Sequence, residues 1–182
     1  MSFELCEAYE INLPSTITSG LVGGWSGPFA ACHNLITVTI PENNTYTTID
    51  GCIIDKNTKT AVLISKNAIL PTDSNLVTTI GQNSFLNCDN IESIGESGTN
   101  VDFVIPNNII TMNWEALASG LSNLKTIVIP NTVTILGGEN TLYANDNLKY
   151  VYFKSSTPPT SEDPDYDIVP SNCKIYVPSF RA

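Results

Sequence analysis

The sequence predicts a repeat solenoid in which each unit contributes one short β-strand. Similar segments follow one another along the chain, most of them end in a proline, and they recur about every two dozen residues. Self-similarity at a fixed period is the signature of a repeat architecture. We therefore expect one continuous domain over residues 1–182, since each unit of a solenoid is buried by its neighbours.

The clearest copy runs from Asn123 to Gly137 and reads Asn-Leu-Lys-Thr-Ile-Val-Ile-Pro-Asn-Thr-Val-Thr-Ile-Leu-Gly. Its first half recurs at Leu35–Pro41 and, without the final proline, at Leu148–Lys154. In its second half, Val133, Leu136 and Gly137 correspond to Val77, Ile80 and Gly81, and more loosely to Ile109, Met112 and Asn113. The period lies within the roughly 20–29 residues of leucine-rich repeats.

Each unit has a predicted strand, a turn and a plug. Side chains alternate across a strand, so Ile127 and Ile129 face inward while Val128 faces outward, and the strands of successive units form one sheet. Proline ends each strand because it has no amide hydrogen to donate. The plug is an apolar residue before the next turn, namely Phe29, Phe85, Leu117 or Leu142, and it is predicted to fill the space behind the sheet from a short helix or a 3₁₀ turn.

The first elements depart from this pattern. Residues Glu10–Pro14 resemble the last strand of a unit whose first half is missing, so residues 1–9 or another chain must cover its edge. The glycine-rich stretch Gly20–Pro28 interrupts the next unit and predicts a wider loop. Its Trp25 either covers the apolar edge of the stack or contacts a ligand.

Two insertions and a closing unit follow. Residues 42–70 are expected to hold a β-hairpin, with strands in Thr47–Ile54 and Thr60–Ser65 around the polar turn Asp55–Lys59. The stretch Gly95–Asn100 predicts a surface loop. The closing unit spans about residues 155–182 and contains the strand pattern of Cys173–Pro178.

Composition and charge exclude several classes of protein. With 42% apolar and 14% charged residues, the chain is neither disordered nor a membrane protein. Its net charge of −10 repels phosphate backbones, so nucleic acid is a poor partner. The acidic start of the chain differs from a signal peptide, so an export signal lies elsewhere or is not used.

The cysteines follow no metal or disulfide spacing. Cys32 and Cys88 share one repeat position and are interpreted as small buried hydrophobic residues. Cys6, Cys52 and Cys173 lie outside that position and are candidates for free thiols.

The sequence offers little catalytic chemistry, and we expect neither an enzyme nor a cofactor. The single histidine, His33, stands next to Cys32, and adjacent residues rarely face each other as a nucleophile and its base. No nucleophile-elbow, phosphate-loop, dinucleotide or zinc-protease motif is present. Asp163, Asp165 and Asp167 form a weak metal candidate, because the glycine and the glutamate that a calcium loop requires are missing. The alternative is a solvated acidic loop.

The outward face of the sheet supplies the candidate binding residues. Positions two residues before each unit's proline, or before Lys154 where the proline is missing, are predicted to lie side by side on the exposed face: Asn12, Thr39, Ile69, Val104, Val128, Tyr152 and Tyr176. A second row, two residues earlier, includes Tyr150. We take Val104, Val128, Tyr150, Tyr152 and Tyr176 as the ligand- or partner-binding set, because exposed tyrosines often dominate interfaces. Alternatively, they are cross-strand pairs that stabilise the sheet, or another segment covers them.

The patterns Ile-Pro-x-x-Val-Thr-x-Leu-Gly, Phe-x-x-Cys-x-x-Leu and Leu-x-x-Ile-x-Ile-Pro resemble the BspA-type leucine-rich repeats of bacterial surface proteins. The resemblance extends over Glu10–Pro178 and includes Asp50-Gly51 of the hairpin. It implies a right-handed β-solenoid with short helical or irregular backs.

The same resemblance implies a non-enzymatic recognition or adhesion module at a bacterial cell surface or outside the cell. Such a module binds a protein or glycan through the exposed sheet face, without membrane insertion. Open solenoid ends also allow self-association. The alternative function is a structural or attachment component of a larger assembly, such as a virion or phage appendage. An intracellular location is the alternative to the cell surface.

Overall fold

The computed structural model describes residues 7–21, 28–29, 34, 36–65, 68–85, 103–117, 124–138, 141–142, 145, 147–162 and 168–178. These residues form short strands joined by turns. In chain order the strands are Glu10–Asn12 (β1), Thr37–Thr39 (β2), Tyr46–Ile49 (β3), Cys52–Asp55 (β4), Thr60–Ile64 (β5), Thr79–Ile80 (β6), Phe103–Val104 (β7), Thr111–Met112 (β8), Thr126–Ile129 (β9), Ile135–Leu136 (β10), Tyr150–Phe153 (β11), Thr160–Ser161 (β12) and Lys174–Tyr176 (β13).

The strands form three sheets, which we number along the chain. The first sheet pairs β1 with β2, the second has the order β12-β10-β8-β6-β5-β4-β3, and the third has the order β13-β11-β9-β7. The predicted β-solenoid is therefore confirmed, with parallel strands from successive units stacked on one another.

The expectation of one strand per unit and one sheet is wrong. The segments after Pro71, Pro106 and Pro130 each form a two-residue strand that pairs with the same segment of a neighbouring unit. Backbone amide and carbonyl groups need partners once they are buried, and an identical segment one unit away offers them in register.

The register of the second sheet confirms the alignment of the repeats. Met112 pairs with Ile80 on one side and with Leu136 on the other. The residues that follow continue the ladder: the Gly137 amide donates to the Met112 carbonyl at 2.7 Å, and the Asn113 amide donates to the Ile80 carbonyl at 3.0 Å. The predicted correspondence of Gly81, Asn113 and Gly137 therefore holds in space.

The inserted segment is a three-stranded antiparallel meander rather than a single hairpin. The predicted turn at Asp55–Lys59 joins β4 to β5, but a second turn at Asp50 and Gly51 divides the expected first strand into β3 and β4. Asp50 and Gly51 both have positive φ, 48° and 80°, as a two-residue type I′ hairpin turn requires.

Strands β4 and β5 separate two apolar clusters. Cys52 and Ile54 pack into the larger cluster, which extends to Val151, whereas Ile53 packs into a smaller cluster with Leu13 and Val38. Because successive side chains of a strand point to opposite faces, one strand lines both clusters. The meander therefore acts as a wall between the first units and the later ones.

The predicted plugs lie where the repeat pattern places them. Phe29, Phe85, Leu117 and Leu142 are all buried, although no helix carries them among the described residues. Cys32 and Cys88 fall outside those residues.

Asparagine amides link neighbouring units, which the sequence did not reveal. The Asn108 Nδ2 donates to the carbonyls of Pro71 and Val77 in the preceding unit, at 2.9 and 2.8 Å. The Asn145 Nδ2 likewise donates to the Leu117 carbonyl at 2.8 Å, from a fully buried position. These side chains satisfy turn carbonyls that would otherwise be buried without a donor.

Candidate functional site

The predicted binding residues meet on the third sheet. Val104 pairs with Val128, Val128 with Tyr152, and Tyr152 with Tyr176. Tyr150 lies two residues before Tyr152 and pairs with Lys174. The register of the fold thus brings these positions side by side, as the sequence predicts.

The remainder of the predicted row does not continue across the molecule. Asn12 and Thr39 pair in the first sheet, where the Thr39 hydroxyl donates to the Asn12 Oδ1. Ile69 lies outside the strands and is 65% exposed, and the inserted meander precedes it in the chain. The row is therefore divided into two short rows rather than one of seven.

Three tyrosines form an exposed aromatic surface, which we call the tyrosine cluster: Tyr150, Tyr152 and Tyr176. The rings of Tyr152 and Tyr176 stack with centroids 4.6 Å apart and an interplanar angle of 12°. The Tyr150 ring lies 6.2 Å from that of Tyr176, tilted by 43°. Tyr152 and Tyr176 remain 37% and 42% exposed. Stacking holds the rings in place while leaving part of their surface to solvent.

The expected exposure of Val128 is wrong, since its side chain is only 7% exposed. Strands flank β9 on both sides, and a short side chain between two neighbours has little access to solvent, whereas the longer Tyr152 reaches beyond it. Val128 therefore offers little surface to a partner. Val104 is placed by its backbone in β7, and its side chain lies outside the described part of the structure.

Strand β13 is exposed on both faces at the end of the third sheet. Ile175 is 52% exposed, although the repeat pattern places it inward, and Val177 is 63% exposed. Within the described residues β13 pairs with β11 alone. An apolar strand edge of this kind favours pairing with another strand.

The predicted metal loop of Asp163, Asp165 and Asp167 falls outside the described residues, as do His33 and Trp25. Among the residues that the structure does describe, no group of three or more His, Cys, Asp or Glu side chains is placed to hold a metal ion. The described part also contains no helix long and apolar enough to span a bilayer.

The two cysteines in the described ranges are free thiols. Cys52 is fully buried, and its Sγ lies 3.6 Å from the Ile69 carbonyl oxygen. Burial, aided by the nearby Asp50 carboxylate, raises the pKa of Cys52 to about 12. Burial also raises the pKa of Cys173, whose Sγ donates to the Leu148 carbonyl at 3.0 Å. Both thiols therefore stay protonated and poorly nucleophilic.

A groove of about 590 Å³ on the second sheet was not predicted from the sequence. Polar side chains line much of it, and so does the indole of Trp114, which is 39% exposed. Two features of the repeat alignment could have indicated the groove. Threonines stand at equivalent strand positions of several units, and Trp114 stands where the next unit has Gly138.

Comparison with known proteins gives one family. The profile of the BspA type leucine-rich repeat region matches residues 1–158 of the chain in six copies. A search of curated proteins finds no match.

Three solved structures share the fold. A leucine-rich repeat protein from Eubacterium ventriosum ATCC 27560 is 19% identical with a TM-score of 0.55, over 81% of this chain and 37% of its own. The pneumococcal vaccine antigen PcpA is 13% identical with a TM-score of 0.59, over 93% and 51%. A leucine-rich cell surface protein from Faecalibacterium prausnitzii A2-165 is 17% identical with a TM-score of 0.58, over 96% and 49%. The chain thus spans about half of these proteins or less.

Proposed function

Because the chain belongs to the BspA-type leucine-rich repeat family, we propose that it is a non-enzymatic recognition module of a cell-surface protein. Leucine-rich repeat modules generally bind other molecules rather than catalyse reactions. One of the solved structures that resembles the chain is described as a cell surface protein, which supports a surface location. In this proposal the partner contacts the outward face of the third sheet.

The tyrosine cluster is the observation that supports this proposal. Tyr152 and Tyr176 are stacked, so they lose little conformational freedom when a partner covers them. Their rings supply apolar area and their hydroxyl groups supply hydrogen bonds, a combination that is common in binding hot spots. The neighbouring Val128 is already buried, which supports the tyrosines as the centre of the proposed contact.

The third sheet favours a protein over a glycan as the partner. Beyond the tyrosine cluster, Ile175 and Val177 are more than half exposed, so an apolar strip continues the surface. Aromatic and aliphatic groups that adjoin in this way resemble the core of a protein interface. A glycan is the alternative partner for this face, and the experiment described next distinguishes it from a protein.

The test compares the chain with the double variant Tyr150→Ser/Tyr152→Ser. Binding is measured by surface plasmon resonance on immobilised extracellular-matrix proteins, and in parallel on a printed glycan array. We expect the native chain to bind a matrix protein and the double variant to lose at least about a hundredfold in affinity, as removal of two hot-spot residues implies.

Tyr9→Ser is the matched control, because Tyr9 is 62% exposed and lies outside the third sheet. Circular dichroism confirms that each variant is folded. If the double variant and the control bind equally well, the tyrosine cluster is not the contact surface. Loss of glycan binding alone would assign the face to a carbohydrate.

A further inference from the structure

The floor of the groove on the second sheet is a ladder of threonines. Thr60, Thr79 and Thr111 pair directly in three neighbouring parallel strands, each partly exposed. Thr60 donates a long hydrogen bond of 3.4 Å to the Thr58 carbonyl. The hydroxyl groups of Thr79 and Thr111 make no hydrogen bond within the described residues, so they remain available to a ligand.

Positions two residues further along each unit form a second line of the groove. The amides of Gly81, Asn113 and Glu162 each donate to the carbonyl of the neighbouring strand, at 2.9, 3.0 and 3.0 Å. Gly81 carries no side chain, which keeps the groove open at its centre, while Asn113 and Glu162 line it with an amide and a carboxylate. Neither of these two side chains is engaged by another described residue.

Trp114 forms one side of the groove and is held by its neighbours on both sides. The following residue, Glu115, has a φ of 52° and is 2% exposed, and its carboxylate accepts a hydrogen bond of 2.9 Å from the Asn83 Nδ2. The backbone N–H of Asn83 also donates to the backbone carbonyl of Glu115 at 3.1 Å. A left-handed conformation at a buried glutamate is unfavourable, and such conformations persist where the surroundings enforce them.

Gly137 of the next unit packs against the same turn. A Cβ atom at this position would clash with the backbone of Asn113 and with the backbone nitrogen of Trp114. The backbone around Trp114 is thus fixed by the unit before it and by the unit after it. The indole is presented to solvent on a rigid support, which suits a stacking surface for a ligand.

The charges along the groove restrict the ligand. Among the described residues that line it, Asp55 and Glu162 are anionic and none is cationic. One oxygen of Asp55 already accepts the Asn57 amide at 2.8 Å. Phosphates and acidic sugars would meet repulsion without a compensating cation. The free hydroxyl, amide and carboxylate groups suit a neutral ligand that carries many hydroxyl groups.

From these features we propose that the groove is a binding site for neutral oligosaccharides, separate from the tyrosine cluster. The weakly positive C–H face of a pyranose ring stacks on the negative face of the Trp114 indole. Ring hydroxyl groups then bond to Thr79, Thr111, Asn113 and Glu162. The volume of the groove falls within the range of about 300–1,000 Å³ that small-ligand clefts occupy.

The test measures binding of maltotetraose, cellotetraose and chitotetraose to the whole chain by isothermal titration calorimetry. We expect at least one of the three to bind, with an affinity that changes little between low and high salt because the ligand is uncharged. Trp114→Ala should weaken this binding at least about tenfold.

Thr111→Val is a second variant, which replaces the hydroxyl group with a methyl group of similar size and preserves the strand. It should weaken binding severalfold, and Thr111→Ser, which restores the hydroxyl, should recover it. Tyr9→Ser changes an exposed tyrosine that does not line the groove, and it should leave oligosaccharide binding unchanged. If no oligosaccharide binds, or if Trp114→Ala binds as the native chain does, the proposal is wrong. Salt-sensitive binding of a lysine-rich peptide in place of the sugars would overturn it in favour of a cationic ligand.

Discussion

Cys52 shows how burial changes the acid–base behaviour of one side chain. Its pKa of about 12, raised first by burial and then by the Asp50 carboxylate, lies far above the value of about 8.5 for a thiol in an unfolded chain. Between these two values the unfolded state releases the proton while the folded state retains it. The free energy of unfolding therefore decreases as the pH rises through this range.

We predict that Cys52→Ala removes this pH dependence. Chemical denaturation from pH 8 to pH 11 should show the native chain losing up to about 1.4 kcal/mol more per pH unit than the variant. The two proteins share every other side chain, so the difference between the two slopes isolates the thiol. Parallel curves would show that Cys52 does not titrate in this way.

The burial of some single side chains could be predicted from the sequence, and that of others could not. The inward positions Ile127 and Ile129 follow from alternation alone, and both are fully buried. Burial of Val128 depends on the neighbouring strands, which no local pattern describes. The role of Asn108 depends on carbonyls more than thirty residues away, and the φ of Glu115 depends on Asn83.

Within the described residues strand β13 pairs on one side only and leaves apolar side chains exposed, so we predict that it mediates self-association. Light scattering over a range of concentrations should show the native chain forming oligomers. Ile175→Lys/Val177→Lys should raise the dissociation constant at least about tenfold, because edge lysines oppose strand pairing.

Ile110→Lys serves as the control for this prediction, since Ile110 is 45% exposed away from β13. It should associate as the native chain does. A native chain that stays monomeric at every concentration would refute the role of this edge.

Strands differ in how far the sequence predicts them. β9 and β11 have four residues each with clear alternation, and both were expected. β8 and β10 have two residues each, too few for any period, so the second sheet was missed and with it the groove. The turn at Asp50 and Gly51 carries a strong hairpin signal that was absorbed into one longer strand.

Because β4 and β5 form a wall between the two apolar clusters, we predict that the two sides of the molecule unfold locally as separate units. Adjacent residues of β4 face different clusters, so Ile53→Ala and Ile54→Ala form a matched pair. Each should cost about 2–5 kcal/mol, because both side chains are almost completely buried.

The two variants should differ in where hydrogen exchange accelerates. We expect Ile53→Ala to speed exchange of the Leu13 amide, which bonds to Thr39 in the first sheet. Ile54→Ala should instead speed exchange of the Gly81 amide in the second sheet. Equal acceleration of both amides in both variants would indicate one cooperative unit instead.

The parallel register of the third sheet also determines how the molecule responds to mechanical force. Thr126 pairs with Tyr150, so successive units are offset by 24 residues, and their backbone hydrogen bonds run along the stack. A pull on the two ends loads these bonds one strand at a time rather than shearing them together. Each unit that detaches releases about 80 Å of chain, so the solenoid lengthens stepwise and dissipates work at every step.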